Sequence, residues 1–319
     1  MTVRVETDAP LAGPSLFRRR LADARAGLRS GAVELLHDRA GLFGFLVIVI
    51  LIVVAIFAPL IAPQDPSAQD LLNRLEPPFH SWAHPLGTDA IGRDMLSRLI
   101  YGSRISLEVG AFVVAIAGSL GTTFGLLAGY FGGKVDSFVM RVVDTQIAFP
   151  GLLMALLIIA VIGPSLRSLV IVLSIDGWMV YARVTRGVTA SLRQEPFVEA
   201  AELIGCRSRR VIFRHVLPNL TSPVLTLGVL EFARVILAEA ALSFLGLGIQ
   251  PPAVSWGLML ADGADYLFSA WWIVSLPGIG IALVVLGINL FASWLRVTSD
   301  PHARDKRFAS GTQVAGAVT

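Results

Sequence analysis

The sequence has little cysteine and little charge. Cys206 is the single cysteine among 319 residues, which excludes an internal disulfide framework and a CxxC metal site. Charged residues make up 15% of the chain, whereas soluble domains carry about 25%. A chain that is 55% hydrophobic and this poor in charge is typical of a membrane protein.

The apolar residues are gathered into long windows. A helix crosses a bilayer with about 20 apolar residues, and six windows are close to that length or longer. Four contain no charged residue, namely residues 40–64, 109–133, 145–166 and 266–295. Two others are interrupted by charge, 168–182 by Asp176 and 221–247 by Glu231, Arg234 and Glu239. We therefore predict an all-α polytopic membrane protein with six transmembrane helices.

The placement of the basic residues predicts the orientation of these helices. The net charge is +3, and most Lys and Arg residues fall in the termini and in the segments around Lys134 and 199–219. The long segment 248–266 contains no basic residue. Cytoplasmic segments of membrane proteins carry such an excess of Lys and Arg, so we expect both termini to be cytoplasmic. The basic balance then needs no nucleic-acid partner.

The chain divides into five segments on this reading. They are a cytoplasmic N-terminal segment (1–40), a first transmembrane helix (41–63), an extracytoplasmic segment with a short interfacial helix (64–103), a five-helix core (104–296) with a cytoplasmic loop (194–218), and a cytoplasmic tail (297–319). Gly121, Gly125 and Gly129 recur at four-residue steps in the second span. Such a stripe allows close helix approach, and we favour packing within the chain over packing against a partner subunit.

The loop between the fourth and fifth spans reads "EAAELIGCRSRRVIFRHVLPN" from Glu199 to Asn219. Pro196 suits a first helical turn and Gly205 a left-handed helix end. Ser208 is then a candidate cap for a second short helix that ends near His215. The result is two short helices at the membrane surface, joined by a glycine elbow. Their apolar and arginine side chains suit either a lipid surface or an acidic groove on a protein.

The same loop resembles the EAA loop of ABC-importer permeases. The residues that carry the resemblance are Glu199, Ala200 and Ala201, then Gly205, then Leu217 and Pro218. "HVLPN", with His215 where many members have isoleucine, is similar to the dipeptide/oligopeptide/nickel branch. "HPLGTDAIGRDMLSRLIYGSRISL" (84–107) and "EAALSFLGLGIQPPAVSWGLML" (239–260) also resemble that branch. The final "ASWLRVTSDPH" departs from its usual ending.

The resemblance implies a C-type permease subunit with an extra first helix. In that family the EAA loop couples the permease to a cytoplasmic ATPase, so the implied coupling residues are Glu199, Ala200, Ala201, Gly205, Arg209, Arg210, His215, Leu217 and Pro218. The implied partners are a related permease chain in a heterodimer, two ATP-binding subunits and an extracytoplasmic binding protein in a bacterial inner membrane. Di- and oligopeptides are the implied substrates, with nickel or another small solute as the alternative.

Two other function classes are disfavoured by the residues themselves. A stand-alone secondary transporter usually contains internal repeats, and the sequence contains none. A membrane enzyme needs a nucleophile or metal set near one membrane face, and no such spacing occurs. We therefore expect no catalytic residue, no cofactor and no metal. His80 and His84 are interpreted as solvated loop histidines rather than metal ligands.

Charged residues inside the spans are candidates for the translocation path, because buried charge is costly in a membrane and usually faces water or protein. Glu231 and Arg234 lie three residues apart, so we expect them to pair with each other. Arg141 lies three residues before Asp144, so we expect these two residues to pair in the same way. Asp176 has no basic residue one helical turn away and is the best candidate. Glu239 completes the predicted set.

Overall fold

A computed structural model describes residue 31 and residues 33–299, and its described part is built from helices. The long ones are α1 (Arg39–Ile56), α2 (Met95–Phe131), α3 (Gly133–Ile147), α4 (Gly151–Ile162), α5 (Leu166–Arg193), α7 (Leu217–Phe244) and α9 (Trp272–Ser299). Two short helices, α6 (Pro196–Leu203) and α8 (Trp256–Gly263), lie between them. The described residues form no β-strand, and Thr88 and Asp94 make one isolated bridge. The all-α class is confirmed.

Four of these helices, α1, α2, α5 and α9, are long and apolar enough to cross a membrane. The third predicted span differs from the expectation of one helix. It consists of α3 and α4, which meet at an angle of 86°, and Pro150 stands at the junction in the N-cap position of α4. Counted as one span, this pair makes a fifth. The fifth predicted span, α7, has 28 residues, includes Glu231, Arg234 and Glu239, and is not among these helices.

Two further predicted boundaries are corrected. The first span ends earlier than residue 63, because α1 stops at Ile56 and a separate turn of helix, Ala58–Ile61, follows. The predicted short interfacial helix is not separate from the second span. It is the first part of α2, which begins where the Asp94 carboxylate accepts a hydrogen bond from the Ser97 N–H. At 1.5 Å per residue the 37 residues of α2 extend about 55 Å, well beyond a hydrocarbon core of about 30 Å.

The glycine stripe of α2 packs against α5 within the chain, as expected. A Cβ added to Gly121, Gly125 or Gly129 would lie 2.2–2.6 Å from a backbone carbonyl oxygen of α5. Only glycine permits this approach. α1 packs in the same way against α9, where Gly44 faces the carbonyl oxygen of Gly287. The terminal segments 1–30 and 300–319 lie outside the described residues, as does most of the predicted N-terminal segment and tail.

The segment between α1 and α2 is fixed to the bundle by ion pairs. Arg98, which is buried, donates to Asp89 and to Asp262 of α8, the latter over 2.9 Å. Arg93 donates to the same two carboxylates, over 2.5 Å to Asp89 and 2.8 Å to Asp262. Asp262 therefore joins this segment to the stretch that follows α7. We call these four residues the ionic clasp.

The expectation that both loop histidines are solvated is wrong for one of them. His80 is exposed, but His84 is buried and its Nδ1 lies 3.2 Å from Asp94 Oδ1. The carboxylate that caps α2 therefore also holds His84.

Another aspartate nearby, Asp70, caps a short 3₁₀ turn, and hydrogen bonds from the Asn73 side chain and the Leu72 N–H lower the pKa of its carboxyl.

Candidate coupling loop and membrane-buried charges

The first part of the loop forms the predicted helix and elbow. α6 begins with Pro196 in its first turn, and Gly205 adopts a φ of +81°. The Gly205 N–H donates to the Glu202 carbonyl over 2.9 Å, and the Cys206 N–H donates to the Ala201 carbonyl over 3.0 Å. These two bonds make a Schellman motif, the helix end that a left-handed glycine permits.

The second part of the loop differs from the prediction. Ser208 is the first residue of a helical turn rather than its cap, since Arg207 occupies the N-cap position and its side chain makes no capping hydrogen bond. That turn, Ser208–Val211, passes into a π-helical turn, Ile212–Val216, which leads directly into α7. The predicted second helix is therefore the beginning of the fifth span. Only Cys206 and Arg207, which are not helical, separate the elbow from this run.

A buried apolar cluster fixes the loop to the bundle. Its members come from α2, α6, the turns Ser208–Val211 and Ile212–Val216, and the start of α7, and they are Leu126, Tyr130, Val198, Ala201, Val211, Ile212, Val216 and Leu220. Ala201 is only 5% exposed, which explains a small residue at that position. Ala200, its neighbour, is exposed. The two alanines of the motif thus face opposite environments.

Tyr130, at the end of α2, forms a polar link that the sequence analysis did not identify. Its hydroxyl donates to Glu202 Oε1 over 2.9 Å, while its carbonyl oxygen accepts from Arg193 Nη1 over 2.7 Å. The Arg193 guanidinium also lies 5.6 Å from the centre of the Tyr130 ring, within the range of a cation–π interaction. Tyr130 therefore connects α2 and the end of α5 to α6.

The remaining predicted coupling residues lie on or near the surface. Glu199, Arg209, Arg210 and Pro218 are exposed, whereas His215 and Leu217 are half-buried. Large apolar side chains are exposed among them, namely Phe197, Leu203, Ile204 and Phe213. We call these four apolar residues, with Arg209 and Arg210, the loop surface. It combines exposed apolar area with positive charge, so a complementary partner would be apolar and acidic.

Asp176, the best path candidate because no basic residue lies one helical turn away, is paired across two helices. Arg234 Nη1 donates to Asp176 Oδ2 over 2.5 Å, and Arg234 Nε donates to Glu231 Oε2 over 2.7 Å. The predicted Glu231–Arg234 pair is thus confirmed. The sequence could not reveal the Asp176 contact, because its partner lies 58 residues away on α7. Arg234 thus bridges two carboxyl groups, one on its own helix and one on α5.

Asp144 pairs with a residue other than the one expected. Arg183 of α5 donates to Asp144 Oδ1 over 2.5 Å, and the neighbouring Arg141 plays no part in this contact. The Arg183 and Asp144 side chains remain 53% and 64% exposed. Arg234 is 40% exposed. An exposed ion pair is not stable against lipid tails, so the face of α3, α5 and α7 that carries these charges needs water or protein against it.

Glu239 has a different environment from the other candidates. It is fully buried, and its carboxylate accepts from Ser106 Oγ over 3.2 Å and from Ser243 Oγ over 2.8 Å. Ser243 Oγ in turn accepts from the Ile249 N–H. Glu239 therefore joins α2 to α7 and to the chain that follows α7. This geometry favours a structural role over contact with a solute.

Comparison with known proteins agrees with the sequence motifs. Residues 121–305 match the binding-protein-dependent transport system inner membrane component family, and residues 32–78 match the N-terminal transmembrane domain of oligopeptide transport permease C. The chain belongs to the first of these families. It is the permease subunit of an ABC importer, and a membrane protein.

Curated relatives cover most of the chain. The dipeptide transport system permease protein DppC of Alkalihalophilus pseudofirmus is 41% identical over 86% of this chain and 90% of its own length. DppC of Escherichia coli is 42% identical over 84% of this chain and 91% of its own length. A chain of the MetNI methionine ABC transporter, solved in inward-facing conformations, shares the fold with a TM-score of 0.52 and 15% identity, and covers 64% of this chain and 97% of its own.

Proposed function

We propose that this chain forms half of the path by which an importer moves di- or oligopeptides delivered by an extracytoplasmic binding protein. Its relatives at 41–42% identity are named as dipeptide or di/tripeptide permeases. The exposed ion pairs support a role in a path, because the hydrophobic helices that carry them must have water or protein on that side. Asp144 and Asp176, each with its arginine partner, are the residues we propose for the path.

We further propose that the loop surface docks on a cytoplasmic ATPase subunit, with Glu199, Ala200, Gly205, His215, Leu217 and Pro218 shaping the same region. Two features support this role. The apolar cluster and Tyr130 fix α6 to the bundle, so α6 and the bundle would move together. The π-helical turn joins the elbow to α7, so a push on α6 reaches the helix that holds Arg234.

In this proposal the chain is a non-catalytic subunit that spans the inner membrane of a bacterial cell several times. Both of its termini lie in the cytoplasm. Residues 64–103 then lie outside, and the core of 104–296 carries the coupling loop inside. Its partners are a related permease in a heterodimer, two ATP-binding subunits and the binding protein. Hydrolysis of ATP takes place in the partner subunits, so the purified chain alone is inert towards ATP.

The experiment is to tag the chain, extract it gently from its own membranes, identify the copurifying proteins by mass spectrometry, and reconstitute the complex in liposomes. We expect a second permease, two ATPases and ATP-dependent uptake of a labelled dipeptide in the presence of the binding protein. Uptake of nickel or another solute with no uptake of peptides would overturn the substrate assignment. A chain that purifies without any ATPase would overturn the coupling assignment.

A further inference from the structure

Large aromatic side chains are exposed at the end of the bundle where α2 begins, opposite to the loop surface. Four of them are Phe79 and Trp82, between α1 and α2, and Phe268 and Trp271, just before α9. Trp82 and Phe268 are fully exposed, Phe79 is 86% exposed and Trp271 is 55% exposed. We call these four residues the aromatic collar. Scattered exposed apolar residues are ordinary, so the position of these four relative to the membrane decides what they contact.

The turn that carries Phe79 and Trp82 is bonded to the chain that follows α1. We call residues 77–88 the collar turn. Its arms are joined by a backbone hydrogen bond, from the Phe79 N–H to the Pro85 carbonyl over 3.1 Å. The Gln64 side chain donates to the carbonyl of Ala83, next to Trp82, over 3.0 Å. Gln64 comes shortly after the turn of helix that follows α1, so the tip of the collar turn lies beside the end of the first span.

The length of the first span gives the height of the collar turn in the membrane. α1 begins at Arg39, and a hydrocarbon core of about 30 Å takes about 20 helical residues. The first span therefore leaves the core near Leu60. Leu60 and Ile56 are 81% and 66% exposed, as expected of side chains that face lipid tails. The tip of the collar turn, bonded to Gln64, is then at the level of the lipid headgroups.

The other half of the aromatic collar is at the same height. α1 packs against α9 where Gly44 faces the carbonyl oxygen of Gly287. From this crossing Leu60 is 16 positions along the first span, and Trp272, the first residue of α9, is 15 positions away in the opposite chain direction. At 1.5 Å per residue these distances are about 24 Å and 22 Å. Trp271 is therefore level with Leu60.

The two halves of the collar are also connected to each other. The Trp272 Nε1–H donates to the carbonyl of Thr88 over 3.0 Å, which bonds the start of α9 to the collar turn. The collar thus lies around the common end of α1 and α9. It continues an apolar outer surface of the bundle, to which α9 contributes the exposed side chains Ile279, Leu283 and Leu286.

Charge and backbone conformation favour a lipid surface as the partner. Residues 77–88 and 266–295, which contain the whole collar, include no Asp, Glu, Lys or Arg. Phe79 adopts a φ of +65°, which is unusual for a bulky residue, and its ring is left in the open by this conformation. In membrane proteins, aromatic rings of this kind form belts at the level of the headgroups.

We propose that the aromatic collar lies in the headgroup layer of the membrane and anchors the segment between α1 and α2 to an uncharged phospholipid surface. The ionic clasp joins the same segment to α2 and α8, so the anchor also positions the start of α2. The inference concerns this chain and the lipid alone. It goes beyond the proposed function and applies to any transported solute.

The first test is spin labelling of the tagged transporter in liposomes of phosphatidylcholine, with Cys206→Ser as the background. A nitroxide is attached at Trp82→Cys, at Phe268→Cys and, as the control, at Gln69→Cys. Gln69 is exposed in the same segment but precedes the 3₁₀ turn rather than the collar turn. Signal from cysteines of copurified proteins is subtracted with Cys206→Ser transporter labelled in the same way.

Relaxation of each nitroxide by oxygen, which dissolves in lipid, is compared with relaxation by chromium oxalate, which stays in water. The oxygen-to-chromium ratio should be about tenfold higher at the two collar positions than at Gln69, the partition expected for one large apolar side chain moved out of water. A ratio at the collar equal to that at Gln69 would overturn the inference. Protection from chromium only after addition of the binding protein would also overturn it and would make the collar a docking surface for that protein. Either result leaves peptide uptake, and with it the proposed function, intact.

The second test asks whether the rings themselves make the contact. Phe79→Gly combined with Trp82→Ser removes both rings and preserves the turn, because glycine adopts a φ of +65° without strain. With the nitroxide at Ala83→Cys, exposed at the tip, this double variant should lower the oxygen-to-chromium ratio about tenfold. His80→Ser, at the exposed polar neighbour, is the matched control and should leave the ratio unchanged. An unchanged ratio in the double variant would overturn the proposal.

Discussion

The elbow at Gly205 provides the sharpest test of the coupling loop. Glycine adopts its φ of +81° without strain, whereas this conformation costs an L-residue with a Cβ about 1–2 kcal/mol. A Cβ added at Gly205 would meet no atom within 4 Å, so the cost is purely conformational and does not come from a clash. Substitution by alanine should therefore lower the population of the native elbow by roughly 5- to 30-fold.

Asparagine is the control for this substitution, since it tolerates the left-handed region better than alanine does. We expect Gly205→Ala and Gly205→Arg to reduce transport-coupled ATP hydrolysis in proteoliposomes strongly, and Gly205→Asn to reduce it less. Arginine adds a large cationic group at the elbow, so its effect should exceed that of alanine. If all three variants assemble and transport like the unaltered chain, the left-handed elbow is not needed for coupling and the reasoning fails.

Three other substitutions test separate contacts. Ala201→Leu should destabilise the loop by about 1–3 kcal/mol through overpacking, and less ATPase should then copurify with the chain. Ala200→Leu, at the exposed neighbour, should leave ATPase copurification unchanged. Equal behaviour of the two variants would contradict the burial assigned to Ala201. Arg234→Gln should lower the melting temperature by leaving two carboxylates unpaired. Adding Asp176→Asn to this variant should recover part of the lost melting temperature. If the effects of the two substitutions on the melting temperature are strictly additive, the pair does not exist. Tyr130→Phe should cost about 0.5–1.5 kcal/mol and weaken coupling while leaving assembly intact; normal coupling would show that the link is dispensable.

Local features of the loop could be predicted from the sequence because they depend on neighbouring residues. Pro196 at a helix start and Gly205 at a helix end follow from backbone chemistry alone. The pair formed by Glu231 and Arg234 follows from helix periodicity. The glycine stripe of α2 likewise indicated close packing. In each case the residues that give the signal lie within a few positions along the chain or on one face of one helix.

Contacts between distant segments could not be predicted in this way. Arg234 reaches Asp176, and Arg183 reaches Asp144, only because the bundle brings α5 next to α7 and α3. Asp262 completes the ionic clasp from 164 residues beyond Arg98. The bend at Pro150 was also not predicted. The apolar window continues through Pro150, and hydropathy contains no information on the direction of the helix axis.

The helical run that begins at Ser208, beyond the two residues that follow the elbow, and continues into α7 is the structural basis of the coupling proposal. The sequence suggested a separate second helix that ends near His215, but the π-helical turn Ile212–Val216 removes that break. A force on α6 can thereby move α7 as a rigid body. Because Arg234 of α7 holds Asp176 of α5, such a movement would strain the ion pair that we assign to the path.

The most direct measurement of the central claim is a crosslink from the loop surface to an ATPase. Ile204 is 81% exposed at the elbow, and a benzophenone amino acid there, in membranes that contain the complete transporter, should form an adduct with an ATP-binding subunit whose yield changes with ATP. The same probe at Leu60, exposed at the other side of the bundle in the proposed orientation, should not. Lipid adducts at Ile204, or none, in a complex that still hydrolyses ATP would contradict the coupling role of this loop.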